Sequence, residues 1–211
     1  MSSAAPSPSV PRSRRGVLGR CAAAAAVLGG LAWVLKAGVI LVTGDEPAVA
    51  FAVGLVLFPF ALLGLWWLVG QAGGKAGRVG GVVAAIAAGC GLLVVLVRAV
   101  GGEGVEPSED DVTLLTPFIS GAGVGTFVAL LALGVAVRRT RTLAPVPAGL
   151  PLAMGIAAIP LLIVGGALES ISERLIEVPI AVLGLAWIGL GIGLWNAATH
   201  GAAQAGSVAD H

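Results

Sequence analysis

The chain has 211 residues, 57% hydrophobic and 11% charged, with a net charge of +1. Its mean hydropathy of +1.02 lies far from the soluble mixture of roughly 45–50% apolar and about 25% charged residues. So few charges cannot cover that much apolar surface in water, which excludes a soluble domain, and no nucleic-acid partner is expected.

Residues 1–20 read as a basic cytoplasmic tail without apolar periodicity, rich in Ser, Pro and Ala up to Pro11 and disordered. Six apolar blocks follow, over Cys21 to Val42, Ala48 to Gly70, Val79 to Val100, Val112 to Val137, Ala148 to Leu168 and Val178 to Thr199. Each approaches the roughly 20 residues needed to cross about 30 Å of hydrocarbon. A segment in lipid must satisfy its own backbone hydrogen bonds, so blocks of this length are helices, and the alternation of a membrane β-barrel is missing. The connections are short, which sets sequence neighbours antiparallel. The fold class expected is therefore all-α, a polytopic six-transmembrane-helix up-down bundle over 21–199, with a short cytoplasmic tail at 200–211.

Charges alternate in sign between successive loops. Arg12, Arg14, Arg15 and Arg20 precede the first block, Asp45 and Glu46 follow it, and Lys75 and Arg78 follow the second. Glu103, Glu106, Glu109, Asp110 and Asp111 follow the third block, Arg138, Arg139 and Arg141 the fourth, and Glu169, Glu173 and Glu177 the fifth, with Arg174 as the exception. Lys and Arg stay on the cytoplasmic side of short loops, so both termini are expected in the cytoplasm. Abundant Ala and Gly, with Arg favoured over Lys, suit a bacterial plasma membrane.

Glycine is the second signal. Gly73, Gly77, Gly81, Ala85 and Gly89 recur every fourth residue into span three, a small-residue stripe on which a neighbouring helix packs closely. The stripe serves packing within the chain or, alternatively, association with itself or another membrane protein. Trp66, Trp67 and Trp195 fall near cytoplasmic ends, where an amphipathic ring prefers the headgroup zone, whereas Trp33 and Trp187 lie deeper and read as packing residues. Pro59 and Pro160 inside spans two and five each predict a kink. Cys21 and Cys90 differ in depth by roughly 15 Å, which rules out a disulfide between them.

Motifs for chemistry fail one by one. Gly74-Lys75-Ala76 lacks the Ser or Thr and the first glycine of a phosphate loop. Gly121–Gly125 and Gly189–Gly193 lie inside apolar spans with no strand before them, so they are not dinucleotide fingerprints. Ser120 has no histidine within a span to act as its base, and no Cys or His spacing suits a metal. No catalytic residue, metal or cofactor is assigned, and no enzymatic activity is expected. Ser13-Arg14-Arg15-Gly16-Val17-Leu18 resembles a twin-arginine export signal, yet the apolar stretch continues past Lys36 without a small-residue cleavage site and reads as an uncleaved first span.

Lys36 and Arg98 are the ionisable residues inside spans, and an intramembrane charge marks a functional candidate. Lys36 lies about 9 Å from the outer edge and Arg98 less, so both are expected to extend toward the outer headgroups. A carboxylate such as Asp45, Glu46 or Glu169 is expected near the Lys36 ammonium, and Lys36→Met is expected to fold with little loss. Glu169, Glu173 and Glu177, spaced by four, share one face if their segment is helical, and read either as a solvated interfacial turn that obeys the charge rule or as an outer carboxylate rim that attracts cations. The reading that follows is a structural or accessory membrane component whose partners are the lipid bilayer and, through its glycine faces, itself or another membrane protein. The alternative is a small-solute transporter or channel subunit, with an apolar or lipid-like substrate among the candidates.

Overall fold

A computed structural model describes residues 12–101 and 114–207. Its helices are α1 (Arg12–Thr43), α2 (Ala48–Val69), α3 (Gly74–Gly101), α4 (Thr116–Thr140), α5 (Pro145–Glu169) and α6 (Glu177–Ser207). Short 3-10 turns over Gly70–Gly73 and Glu173–Ile176 lead into α3 and α6. No strand occurs among the described residues, and all six helices are long and apolar enough to cross a membrane. The protein is a six-helix, multi-pass membrane bundle.

The helices overrun the apolar blocks. Residues 12–20, assigned to the tail from sequence, form the first turns of α1, and α6 carries residues 200–207 of the C-terminal tail. Hydropathy detects only the part of a helix that needs hydrocarbon, whereas the backbone ladder continues into polar surroundings at no penalty. The fourth helix starts at Thr116, not Val112. Glu103, Glu106, Glu109, Asp110 and Asp111 lie outside the described residues.

Close contacts fix the order and direction of the helices. Along α1, Gly19, Val27, Gly30 and Lys36 meet Ala198, Gly191, Gly184 and Glu177 of α6, in descending order. The two helices are therefore antiparallel over their whole shared length, and the last helix returns to the first. The same reversal holds between sequence neighbours: Gly29 and Gly19 of α1 against Phe58 and Leu68 of α2, and Gly134 and Leu131 of α4 against Leu152 and Gly155 of α5. α2 also touches α4, which leaves α3 packed outside the groove between them. Leu62 and Leu65 of α2, Leu130 and Leu133 of α4, and Leu190 and Leu194 of α6 are fully buried in the common core. Val82, Ile86 and Leu96 of α3 and Ile159, Leu162 and Ile163 of α5 face outward, as helices in lipid do when apolar all round.

Without a hydrophobic force between helices in lipid, close packing holds them, and small residues set the approach. One such seam joins α1 to α6. A Cβ on Gly30 would stand 2.5 Å from the Gly184 carbonyl oxygen, and one on Gly184 would stand 2.9 Å from that of Gly30. The stripe expected on α3 divides instead. Gly73 lies against Val69 and Ala136, Gly77 touches Ala136 at ordinary van der Waals distance, and Gly81 lies under the Trp66 indole. Gly89 departs from the expected packing role: a Cβ there would meet nothing within 4 Å. The helix has 3.6 residues per turn, so a repeat of four rotates by about 40° at each step and leaves the contact face. Gly80, off the stripe, fits against Leu133 of α4.

Pro59 lies inside α2 and is fully buried. Its ring nitrogen carries no hydrogen, so the Leu55 carbonyl four residues earlier loses its helical donor. Gly91 of α3 stands against that oxygen, where an added Cβ would come within 2.6 Å. A bare Cα of α3 thus covers the carbonyl that the proline leaves free, in the arrangement of a weak Cα–H···O contact.

Candidate functional site

The antiparallel order divides the described charges between the two ends of the bundle. Arg20, Lys75, Arg78, Arg138, Arg139 and Arg141 lie at one end, and Asp45, Glu46, Glu169, Glu173 and Glu177 at the other with Lys36, Arg98 and Arg174. The ion cluster of the second end is the candidate site. Lys36 lies beyond Gly30 on α1, where the α1–α6 seam reaches the start of α6, and its long side chain extends to Glu177 there. Its Nζ donates to Glu177 Oε1 at 2.9 Å and stands 3.2 Å from Glu46 Oε1. The side chains of Lys36 and Glu177 are 7% and 6% exposed, whereas Glu46 is 58% exposed. Lys36 is therefore clamped between a buried carboxylate and an open one rather than extended freely to the headgroups.

Glu177 is the first residue of α6, where a negative charge also favours the helix macrodipole. Its second oxygen, Oε2, is buried without a hydrogen-bond partner. The ammonium has three N–H groups, of which one goes to Glu177, with Glu46 at ion-pair distance beside it. Arg174 completes the edge of the cluster: its guanidinium lies over Gly44, and its Nη1 is 3.4 Å from the Val42 carbonyl at the end of α1. Gly44 has φ +87, so this turn asks for glycine on both backbone and contact grounds.

One turn below Lys36, Trp33 begins an aromatic layer across the bundle. It meets Phe58 of α2 edge-on at 5.0 Å between centroids, and Phe58 stacks on Trp187 of α6 at 4.3 Å and 9°. Gly29 makes room for Phe58 and Gly54 for the Trp33 indole. The Trp33 Nε1–H is buried without an acceptor.

The remaining sequence candidates lie apart from the cluster. Glu169 and Glu173 are exposed, and α5 ends at Glu169, so the three acids do not share one helical face. The chain breaks at Ser170–Ser172 and re-enters the bundle at Glu177, which turns that acid inward and leaves the other two in solvent. The expected rim is thus two exposed acids and one buried partner of Lys36. Arg98 lies near the end of α3 with its Cζ 5.9 Å from the Phe51 ring centroid, and its Nε is buried without a partner. Cys21 and Cys90 are both free. Glu177 as the partner of a residue 141 positions away escaped sequence reading; the available clue was that both residues lie at the same end of the bundle. No family model, curated protein or solved structure matches the chain.

Proposed function

We propose that the protein is a structural or accessory component of a bacterial plasma membrane, with both termini in the cytoplasm and no catalytic chemistry of its own. The observation that carries this reading is the use made of the buried charge. Lys36 joins the first helix to the last through Glu177, over a core filled by leucines of α2, α4 and α6. An intramembrane charge usually belongs to a substrate or proton path; here its partners come from the chain itself, and its effect is to close the bundle. The outward faces of α3 and α5 are left for lipid or for another membrane protein. Single cysteines at Ile159 or Ile163, in a background with Cys21 and Cys90 replaced by serine, test this by crosslinking in native membranes. A defined crosslinked species supports an accessory role, and lipid-only labelling at both positions opposes it for the α5 face.

A transport reading draws on one specific feature, the unpartnered Glu177 Oε2 beside a partner acid open to the outside. In that reading the outer acids shape an entrance for a small solute. Cysteines at Leu62, Leu130 and Leu190 discriminate the two. Modification by a membrane-impermeant thiol reagent would mean a watery path through the core, and protection would favour the packed structural unit.

A further inference from the structure

At the basic end of the bundle, Gly73 of the turn before α3 and Gly80 of α3 pack closely on Ala136 and Leu133 of α4. That close approach brings the start of α3 beside the end of α4. Lys75 and Arg78 on the one and Arg138, Arg139 and Arg141 on the other are all exposed. Arg138 and Arg139 occupy the last turn of α4, and Arg141 ends it with φ +52, so these charges lie at the level where a membrane-spanning helix ends. Among the described residues no Asp or Glu lies at this end. None of these five side chains has an ion pair among the described residues.

We propose that this α3–α4 corner is a binding site for the headgroup of an anionic phospholipid, deepening the reading of the protein as a membrane-embedded unit. The occupant follows from position and charge. The cations stand at headgroup depth, where an acidic lipid supplies a phosphate on a molecule already held in the bilayer. The adjoining outward face of α3, with Val79, Val82 and Ile86 exposed, receives its acyl chains. Each Lys or Arg near an anionic surface adds to the attraction, which falls off within a Debye length of about 10 Å at 0.1 M salt. Arginine also grips phosphate by two parallel hydrogen bonds. The corner differs from Arg20 on α1, whose guanidinium lies 6.0 Å from the Trp195 ring centroid.

The test uses the full-length protein purified in a neutral detergent, where orientation in a membrane has no bearing. Retention of phosphatidylglycerol and of phosphatidylcholine with the same acyl chains is compared by native mass spectrometry, with inorganic phosphate as the soluble control. Wild type should retain phosphatidylglycerol at least about tenfold over phosphatidylcholine, consistent with several cations acting together, and should lose that preference at high salt. Arg138→Gln/Arg139→Gln/Arg141→Gln should bring the ratio near one, Arg138→Lys/Arg139→Lys should keep most of it, and Arg20→Gln should leave it unchanged. Equal retention of both lipids by wild type would overturn the proposal. So would a preference that survives the triple substitution, one lost equally in Arg20→Gln, or equal binding of free phosphate.

Discussion

Lys36 and Glu177, 141 residues apart in the chain, meet at 2.9 Å and fasten α1 to α6 where both are buried. The pair changes what substitution of Lys36 is expected to do. A lysine that merely extended to the headgroups would be replaced by methionine at little cost. With Glu177 as its buried partner, Lys36→Met leaves a carboxylate without its counter-charge, a loss of about 3–5 kcal/mol. Lys36→Met/Glu177→Met removes both charges and should recover most of that stability, since a buried ion pair replaced by apolar side chains is often neutral or better. Unfolding in detergent across the single and double variants checks this. Equal stability of Lys36→Met and wild type would mean that the pair is not what closes the bundle.

Glu46 offers a milder contrast. It is mostly exposed, and a solvent-screened pair contributes about 0–1 kcal/mol. Glu46→Gln is expected to lower the melting temperature far less than Glu177→Gln, measured side by side in the same detergent.

The glycine positions separate by what faces them. Gly30→Leu and Gly184→Leu should abolish or severely weaken folding, because each places a side chain against a backbone carbonyl of the partner helix. Gly81→Leu should displace Trp66 and change its fluorescence, whereas Gly89→Leu points into open space and should be tolerated. Gly91→Ala sets a methyl against the Leu55 carbonyl freed by Pro59 and should cost about 1–3 kcal/mol as an overpacked site. A destabilised Gly89→Leu alongside a stable Gly30→Leu would reverse this order and place the tight seam on α3.

The aromatic layer makes an opposed pair of predictions. Phe58→Ala removes the ring between Trp33 and Trp187 and should cost about 3–5 kcal/mol. Trp33→Phe keeps most of the ring and deletes a buried N–H that has no acceptor, so it should be neutral or stabilising. Thermal unfolding followed by the remaining tryptophans reads both.

Orientation is tested by reporter fusions. Fusions after Gln71, Arg141 and His211 are expected in the cytoplasm, and those after Glu46, Glu109 and Glu173 outside, because the basic loops are retained. A cytoplasmic reading after Glu46 would show that the first helix does not cross as α1 is drawn.

Much of this protein was legible from the chain alone. Lipid selects each helix by its own apolar length, and the charge of each loop sets the side on which it stays, so span number, antiparallel order and the sorting of charges needed no tertiary contact. The depth of Trp33 and Trp187 and the presence of a carboxylate near Lys36 were equally local inferences. Glu46, one of the acids expected there, stands 3.2 Å from Lys36, but the buried partner Glu177 and the choice of packing glycines were not legible. These helices are apolar around most of their circumference, so no hydrophobic face fixes how each is rotated about its axis. Rotation and placement are decided by packing between helices: the seam at Gly30 and Gly184 sets the Lys36 end of α1 beside the start of α6, and the break at Ser170–Ser172 turns Glu177 inward to meet it. The same packing carries Gly89 out of the seam, because a spacing of four along the sequence does not follow a straight line on a helix that turns every 3.6 residues.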